Sequence, residues 1–323
     1  MAGKAIVAVK AFYPGGRRRT ASDRGNRGAG LKQKVLVLGA GGQLGRELQR
    51  TLPAGVECVP RMRAELDISD AVAVADCLRA VSPQLVINAA AYTAVDKAES
   101  EPAEAHRGNA EGPGVLAAAC SEQGIRLIHI STDFVFDGAA SQPYAPDAAT
   151  APLGEYGRSK REGEVAVQRL LPEALILRTG WVYSSFGGNF VKTMLRLMGE
   201  RGELGVVTDQ VGTPTWAHGL AEAVWAAAER PQLAGFYHWS DAGVCSWYDF
   251  AVAIYEEATA LGLLSKPVKI RPIAAAEYPT PAQRPAYSVL DKTSSWRDFA
   301  MEGVHWRQQL REMLADYKEQ ADA

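Results

Sequence analysis

One stretch restricts the possible fold more than any other: Val35-Leu36-Val37-Leu38-Gly39-Ala40-Gly41-Gly42-Gln43-Leu44-Gly45. Four consecutive apolar residues fit a parallel strand covered on both faces. The run then breaks on glycines and restarts in a helical pattern over Gln43–Leu52. Gly39, Gly42 and Gly45 recur at three-residue spacing, which a dinucleotide-binding turn requires. The first makes the tight turn, the second lets the backbone approach a pyrophosphate, and the third lets helix and strand pack closely. The free N–H groups and positive dipole end of the helix then face the phosphates. The rival reading is a plain strand–turn–helix corner.

From Lys34 onward, strand and helix patterns alternate. Strands are expected at Val56–Val59, Leu85–Asn88, Arg126–Ile130 and Ala174–Arg178. Helices are expected at Ala71–Val81, with Ser69 as N-cap, over most of Pro102–Gln123, and at Tyr156–Leu171. Alternation of this kind argues a doubly wound, Rossmann-like parallel sheet with right-handed crossovers, an α/β fold. After Gly180 the alternation loosens. Helices are expected at Phe190–Glu200, His218–Arg230, Trp247–Leu261 and Val304–Lys318. Short strands are expected at Gly205–Thr208, Phe236–Trp239 and Val268–Arg271, and Tyr278–Pro285 is proline-rich and irregular. At 323 residues the chain suits a dinucleotide-binding domain over 32–180, with 205–231 returning to it. A smaller, mainly substrate-binding α/β domain would then occupy 181–323. Residues 1–31 are rich in Arg and Gly, carry Asp23 as their one acidic residue, and read as a disordered basic leader.

A net charge of -2 implies neither nucleic acid nor an anionic membrane as partner. No apolar run approaches the ~18–20 residues of a membrane span. Cys58, Cys77, Cys120 and Cys245 show no paired spacing and read as thiols of a reducing, cytoplasmic setting. The second strand ends Val59-Pro60-Arg61-Met62-Arg63, where an NAD site would carry an acidic residue. Arginine there suits a 2′-phosphate, so Arg61 favours NADPH, with NADH possible. Asp67 and Ile68 are candidates for the adenine end.

Two stretches carry the chemistry. Ser131-Thr132-Asp133-Phe134 lies at the carboxyl end of the fourth strand, where doubly wound sheets bind ligands. Tyr156 and Lys160 stand four residues apart, on one face of one helix. An ammonium beside a phenol lowers its pKa from about 10 and fits it for acid–base work near neutrality.

The ordered set of glycine turn, Asn88-Ala89-Ala90-Ala91, Ser131-Thr132 and Tyr156/Lys160 resembles the extended short-chain dehydrogenase/reductase superfamily. Finer segments resemble its dTDP-4-dehydrorhamnose reductase family. They are the run from Asn88 to Glu99, Ser131 to Phe136, Arg178 to Tyr183, Asn189-Phe190, Asp209 to Thr215 and Tyr278 to Pro285. The resemblance implies NAD(P)H-dependent reduction of the 4-keto group of a dTDP-6-deoxy-hexulose, giving dTDP-L-rhamnose for polysaccharide synthesis. It implies Tyr156 as proton donor, Lys160 as the residue holding the nicotinamide ribose, and Thr132 as the hydroxyl positioning the keto oxygen. Ala91, Tyr92 and Thr93 join Gly39, Gly42, Gln43, Leu44 and Gly45 as cofactor contacts. Asp133, Trp181, Asn189, Gln210 and Arg284 become candidates for the nucleotide-sugar.

Two departures from the family pattern stand out. Phe134 replaces a frequent tyrosine. At the positions where some members hold Mg2+ between two subunits, Glu47 is accompanied by His218 and Asp316. Magnesium prefers oxygen ligands, so no metal is predicted, and the chain is expected to be a monomer or homodimer. The alternatives are a non-catalytic nucleotide-binding subunit of the methionine adenosyltransferase type, or a nucleotide-sugar epimerase.

Overall fold

A computed structural model describes residues 33–322. The expected leader therefore lies outside the described residues. The first half runs β1 (Gln33–Leu38), α1 (Gln43–Arg50), β2 (Val56–Arg61), α2 (Ala71–Val81), β3 (Leu85–Asn88), α3 (Val95–Ala98) and α4 (Pro102–His106). A π-helical turn, Arg107–Glu111, leads into α5 (Gly112–Gln123), followed by β4 (Arg126–Thr132), α6 (Glu155–Leu170) and β5 (Leu175–Thr179). Then come β6 (Val182–Tyr183), α7 (Phe190–Glu200), β7 (Glu203–Val207), β8 (Val211–Gly212), β9 (Thr215–Trp216), α8 (Ala217–Ala228) and β10 (Gly235–His238). The chain closes with β11 (Cys245–Ser246), α9 (Trp247–Ala260), β12 (Lys269–Ile273), α10 (Thr293–Phe299) and α11 (Trp306–Asp322).

Six strands build the central sheet in the order β10-β5-β4-β3-β1-β2, every pair parallel. The side-chain alternation of β1 explains the two-sided cover. Val35 and Val37 face Leu48 of α1 and Leu220 and Val224 of α8. Leu36 and Leu38 face Val74 and Leu78 of α2, Leu116 of α5 and Val167 of α6. All four strand residues are essentially inaccessible to water, so each contributes roughly 1.5–3 kcal/mol relative to an exposed side chain. The chain leaves β1 toward β2 on one side and returns to β3 on the other. The strand order thus reverses between β1 and β3, which opens a crevice at their carboxyl ends.

The remaining apolar side chains form a second core from α7, β7, α9 and α11, including Met194, Met198, Leu204, Phe250, Ile254, Leu310 and Met313. The segment 205–231 is divided between the two cores. β7 pairs with β12 in a separate two-stranded sheet, while α8 lies against the central sheet. The central sheet also recruits β10 and α10, the latter without a sequence signal. Asp70, not Ser69, caps α2: its carboxylate accepts from the N–H groups of Val72 and Ala73, while Ser69 turns back to Asp67. A carboxylate at the positive helix end outcompetes a neighbouring hydroxyl.

Candidate active site

A cleft of ≈ 680 Å³ follows the carboxyl ends of β1, β3, β4 and β5. At one end is the glycine turn. Gly39 has a positive φ of 74°. A Cβ on it would lie 2.6 Å from Ala90 N, and one on Gly45 would lie 2.3 Å from Gly39 O. The backbone of Ala89-Ala90 therefore crosses directly over the turn, and α1 starts tightly against β1. This leaves no room for side chains at the turn, so a pyrophosphate can approach the backbone at the start of α1.

Of the candidate residues, Gly39, Gly42, Gln43, Leu44, Gly45, Asp67, Ile68, Ala91, Tyr92, Thr93, Thr132, Asp133, Tyr156, Lys160 and Trp181 all line this cleft. Four do not. Arg61 donates through Nη1 to its neighbour's carbonyl, Pro60 O, at 2.9 Å. It is the last residue of β2, and its own carbonyl is taken by Ala40 N. Arg63, two residues on and past the strand, lines the cleft instead, together with Arg107. Asn189 is the N-cap of α7 and donates to Gln43 Oε1 at 2.9 Å, so it reaches the cleft only through Gln43. Gln210 sits half-buried in the turn before β8. Arg284 pairs with Asp96, with Nη1 and Nη2 at 3.0 and 2.8 Å from the two carboxylate oxygens. This pairing pins the irregular segment 278–285 onto α3.

At the other end of the cleft, Thr132, Asp133, Tyr156 and Lys160 come together. The Thr132 hydroxyl faces the Tyr156 phenol, accepts from Phe134 N at 3.2 Å and donates to Asp133 Oδ1 at 3.1 Å. The Tyr156 ring meets Phe134 edge to face, centroids 5.5 Å apart. Lys160 Nζ donates to Ile130 O at 2.8 Å, and burial pulls its pKa down to about 8. Burial pushes the Tyr156 phenol up to about 12, and the neighbouring Thr132 hydroxyl opposes that rise. The expectation that Lys160 lowers this phenol is thus not met in the free protein: desolvation outweighs an ammonium that is turned toward a carbonyl. Tyr156 consequently stands as a neutral phenol, a proton donor rather than a base.

Asn109 joins the site without a sequence signal. It is fully buried in the π-helical turn, grips Tyr92 N and O at 2.8 and 3.0 Å, and donates to Ser159 Oγ at 3.1 Å. One extra residue in the helix aims this side chain inward, a frequent use of π-turns at functional sites. It ties the Tyr92 wall of the cleft to the helix carrying Tyr156. An asparagine in a helical pattern carries no signal of this by itself.

The three residues compared with a metal site also converge, around an arginine. Arg50 Nε lies 2.9 Å from Glu47 Oε2 and its Nη1 2.8 Å from Asp316 Oδ1, with His218 Nδ1 at 3.2 Å from Glu47. The guanidinium supplies the positive charge that the buried Glu47 requires. Among the described residues no group of three or more His, Cys, Asp or Glu is arranged to hold a metal ion.

Comparison with known proteins agrees with this geometry. The family described as RmlD substrate binding domain matches residues 33–319. The dTDP-4-dehydrorhamnose reductase of Escherichia coli is 42% identical over 288 residues, 87% of this chain and 96% of that one. Among solved structures, a dTDP-4-dehydrorhamnose reductase from Clostridium acetobutylicum superposes with a TM-score of 0.83 at 41% identity, covering 88% of this chain and 99% of that one. The Bacillus anthracis dTDP-4-dehydrorhamnose reductase in complex with NADP also gives a TM-score of 0.83, at 36% identity over the same shares. This chain therefore belongs to the RmlD substrate binding domain family, alongside the dTDP-4-dehydrorhamnose reductases it matches over nearly their whole length.

Proposed function

We propose that this protein reduces the 4-keto group of dTDP-4-dehydro-6-deoxy-L-mannose to give dTDP-L-rhamnose, with NADPH as reductant. The observation that carries the reading is the neutral Tyr156 phenol beside Thr132 and Lys160, at the far end of a cleft that begins with a side-chain-free glycine turn. The central sheet, with α8, β10 and α10, serves as the cofactor lobe, and the second core supports the nucleotide-sugar side. When bound, the nicotinamide supplies the hydride. The chain's own residues do the rest. Thr132 orients the keto oxygen, Tyr156 hands it a proton as negative charge develops, and Lys160 stabilises the charge left on the phenol. Trp181, stacked on Trp247 at 3.5 Å and lining the cleft, forms the wall on the sugar side.

We place the reaction in the cytoplasm, in keeping with free thiols at all four cysteines. The working unit is a monomer or homodimer. No helix of the described residues is long and apolar enough to cross a membrane.

The test is NADPH oxidation by purified protein with the 4-keto sugar nucleotide. NADPH loss that requires the sugar supports the reading. Conversion without net NADPH loss points to an epimerase, and absence of turnover points to a regulatory subunit.

Cofactor choice is read at the adenine end, where Arg63 Nη2 lies 3.8 Å from Glu104 and Arg107 Nη2 lies 3.4 Å from Asp67. Both pairs are loose, so either arginine can turn to a 2′-phosphate or rest on its acid when none is present. Arg63→Ala is expected to raise KM for NADPH about 10-fold, the worth of one charge-assisted hydrogen bond, with KM for NADH little changed. Arg61→Ala should leave the NADPH/NADH ratio where it is. The reverse pattern in steady-state kinetics would return the role to Arg61.

A further inference from the structure

Trp181 has a backbone conformation that few side chains adopt. Its φ is 51°, in the left-handed region, which a bulky residue occupies only where its surroundings hold it. Thr215 supplies that hold: its N–H donates to Trp181 O at 3.1 Å, and its Oγ1 donates to Gly180 O at 2.6 Å. The indole then lies flat on Trp247, with centroids 3.5 Å apart and planes 3° from parallel, and it lines the cleft. Gly212 leaves room for it. A Cβ on Gly212 would lie 2.5, 2.6 and 2.8 Å from Trp181 Cε2, Nε1 and Cζ2. Gly212 and Thr215 belong to the run from Asp209 to Thr215, whose one candidate ligand, Gln210, stands outside the cleft.

We propose that Gly212 is a positioning residue, setting the depth of the sugar-side pocket by fixing where the Trp181 indole rests. The inference rests on the reading of Trp181 as the sugar-side wall. Separations of 2.5–2.8 Å are far inside the ordinary contact distance between carbon atoms, about 3.5–4.0 Å. With a side chain at 212, either the strand or the indole must move. The strand is fixed on both edges. On one, β8 pairs with β11, Gly212 opposite Cys245 and Val211 opposite Ser246. On the other, Val211 N donates to Ala286 O and Ser288 N donates to Val211 O, both at 2.8 Å. The indole therefore gives way. Trp247, on which it is stacked, is itself packed against Phe190 with centroids 4.6 Å apart, so the ring's open direction is the cleft. A side chain at 212 would narrow the pocket from the sugar side and leave the glycine turn, at the other end, as it is.

Gly212→Ala tests this. Its kcat/KM for the 4-keto sugar nucleotide is expected to fall about 100-fold, the scale of a displacement of about 1 Å beside the reacting atoms, while the Kd for NADPH keeps its wild-type value. The same substitution in Trp181→Leu, which lacks the ring atoms that the Cβ would meet, should cost nothing further, because residues that act through one contact are not additive. A further loss in the double variant overturns the proposal, as does wild-type kcat/KM in Gly212→Ala. Should Gly212→Ala fail to fold, the two Leu proteins decide. A folded double variant supports the assignment, since removing the ring removes the clash. An unfolded double variant beside a folded Trp181→Leu overturns it.

A second readout needs no substrate. Stacked rings shift each other's proton resonances, so the Trp247 indole N–H signal, assigned by its loss in Trp247→Phe, should carry the ring-current shift of Trp181. In Gly212→Ala it should move toward its position in Trp181→Leu. A resonance that stays at the wild-type position overturns the displacement. Wild-type protein that fails to oxidise NADPH with the sugar nucleotide would instead overturn the parent reading, while the resonance still decides where the ring lies.

Discussion

Tyr156→Phe is expected to lower kcat by about 10²–10⁴, the range for loss of a positioned general acid, while NADPH binds as tightly as to wild type. The two outcomes separate because the variant loses only the hydroxyl. The ring keeps its edge-to-face packing on Phe134, and the glycine turn lies at the opposite end of the cleft. The pH behaviour follows from the same site. With the phenol held near 12 by burial, the donor form of Tyr156 persists across the working range and imposes no limb there. Lys160, lowered to about 8 by burial, is cationic below that value and loses its charge as pH rises through it. Accordingly kcat/KM for NADPH should fall above about pH 8, because the free enzyme's titration governs that ratio. Stopped-flow turnover and fluorescence titration of NADPH check the first part, and a pH series checks the second. A Phe variant that keeps more than about a tenth of wild-type turnover would remove Tyr156 from the chemistry.

The parts of this site that were legible in the sequence are those where one residue type answers one local need. Gly39 and Gly45 have no substitute where an added Cβ would lie 2.6 and 2.3 Å from neighbouring backbone atoms, so their spacing announces the turn. Tyr156 and Lys160 share a helix face by periodicity alone. What failed to show depends on where long side chains come to rest. Arg61 and Arg63 are equivalent by position and composition, yet only the second, beyond the last ladder residue of β2, reaches the cleft. Arg284 carries the right chemistry for a diphosphate, but a carboxylate from a helix 188 residues earlier claims it. The raised Tyr156 pKa is hidden from the sequence for a related reason. A four-residue spacing fixes the Lys160 backbone, not the direction of its Nζ, and that group spends its hydrogen bond on Ile130 O.

Glu164→Gln is expected to destabilise the fold by about 3–5 kcal/mol, the cost of stranding a buried charge, and to shift the pH profile as well. Glu164 follows Tyr156 and Lys160 at the next i+4 position of α6 and has 0% exposure. Its two oxygens accept from Arg178 Nε and Nη2 at 2.7 and 2.8 Å. Arg178, 2% exposed, is further enclosed by the rings of Phe236 and Phe136, at 4.4 and 5.1 Å from the guanidinium carbon. The substitution keeps one accepting oxygen but sets an NH2 against the other guanidinium nitrogen, so the buried cation loses its counter-charge and one acceptor, with Pro146 O as its other full hydrogen-bond partner. The same carboxylate acts on Lys160, raising its pKa against the effect of burial. Without it the Lys160 pKa falls further, the cation is lost at lower pH, and the alkaline limb of kcat/KM moves down. The two effects can be separated. Replacing both partners with Glu164→Leu and Arg178→Met restores an apolar interior and should recover much of the lost stability, because a matched buried pair contributes little net. It does not restore the charge beside Lys160, so the displaced limb should persist in the double variant. Urea unfolding of the three proteins and their pH–rate profiles test both halves. Recovery of the limb together with stability would show that Glu164 acts on Lys160 only through packing.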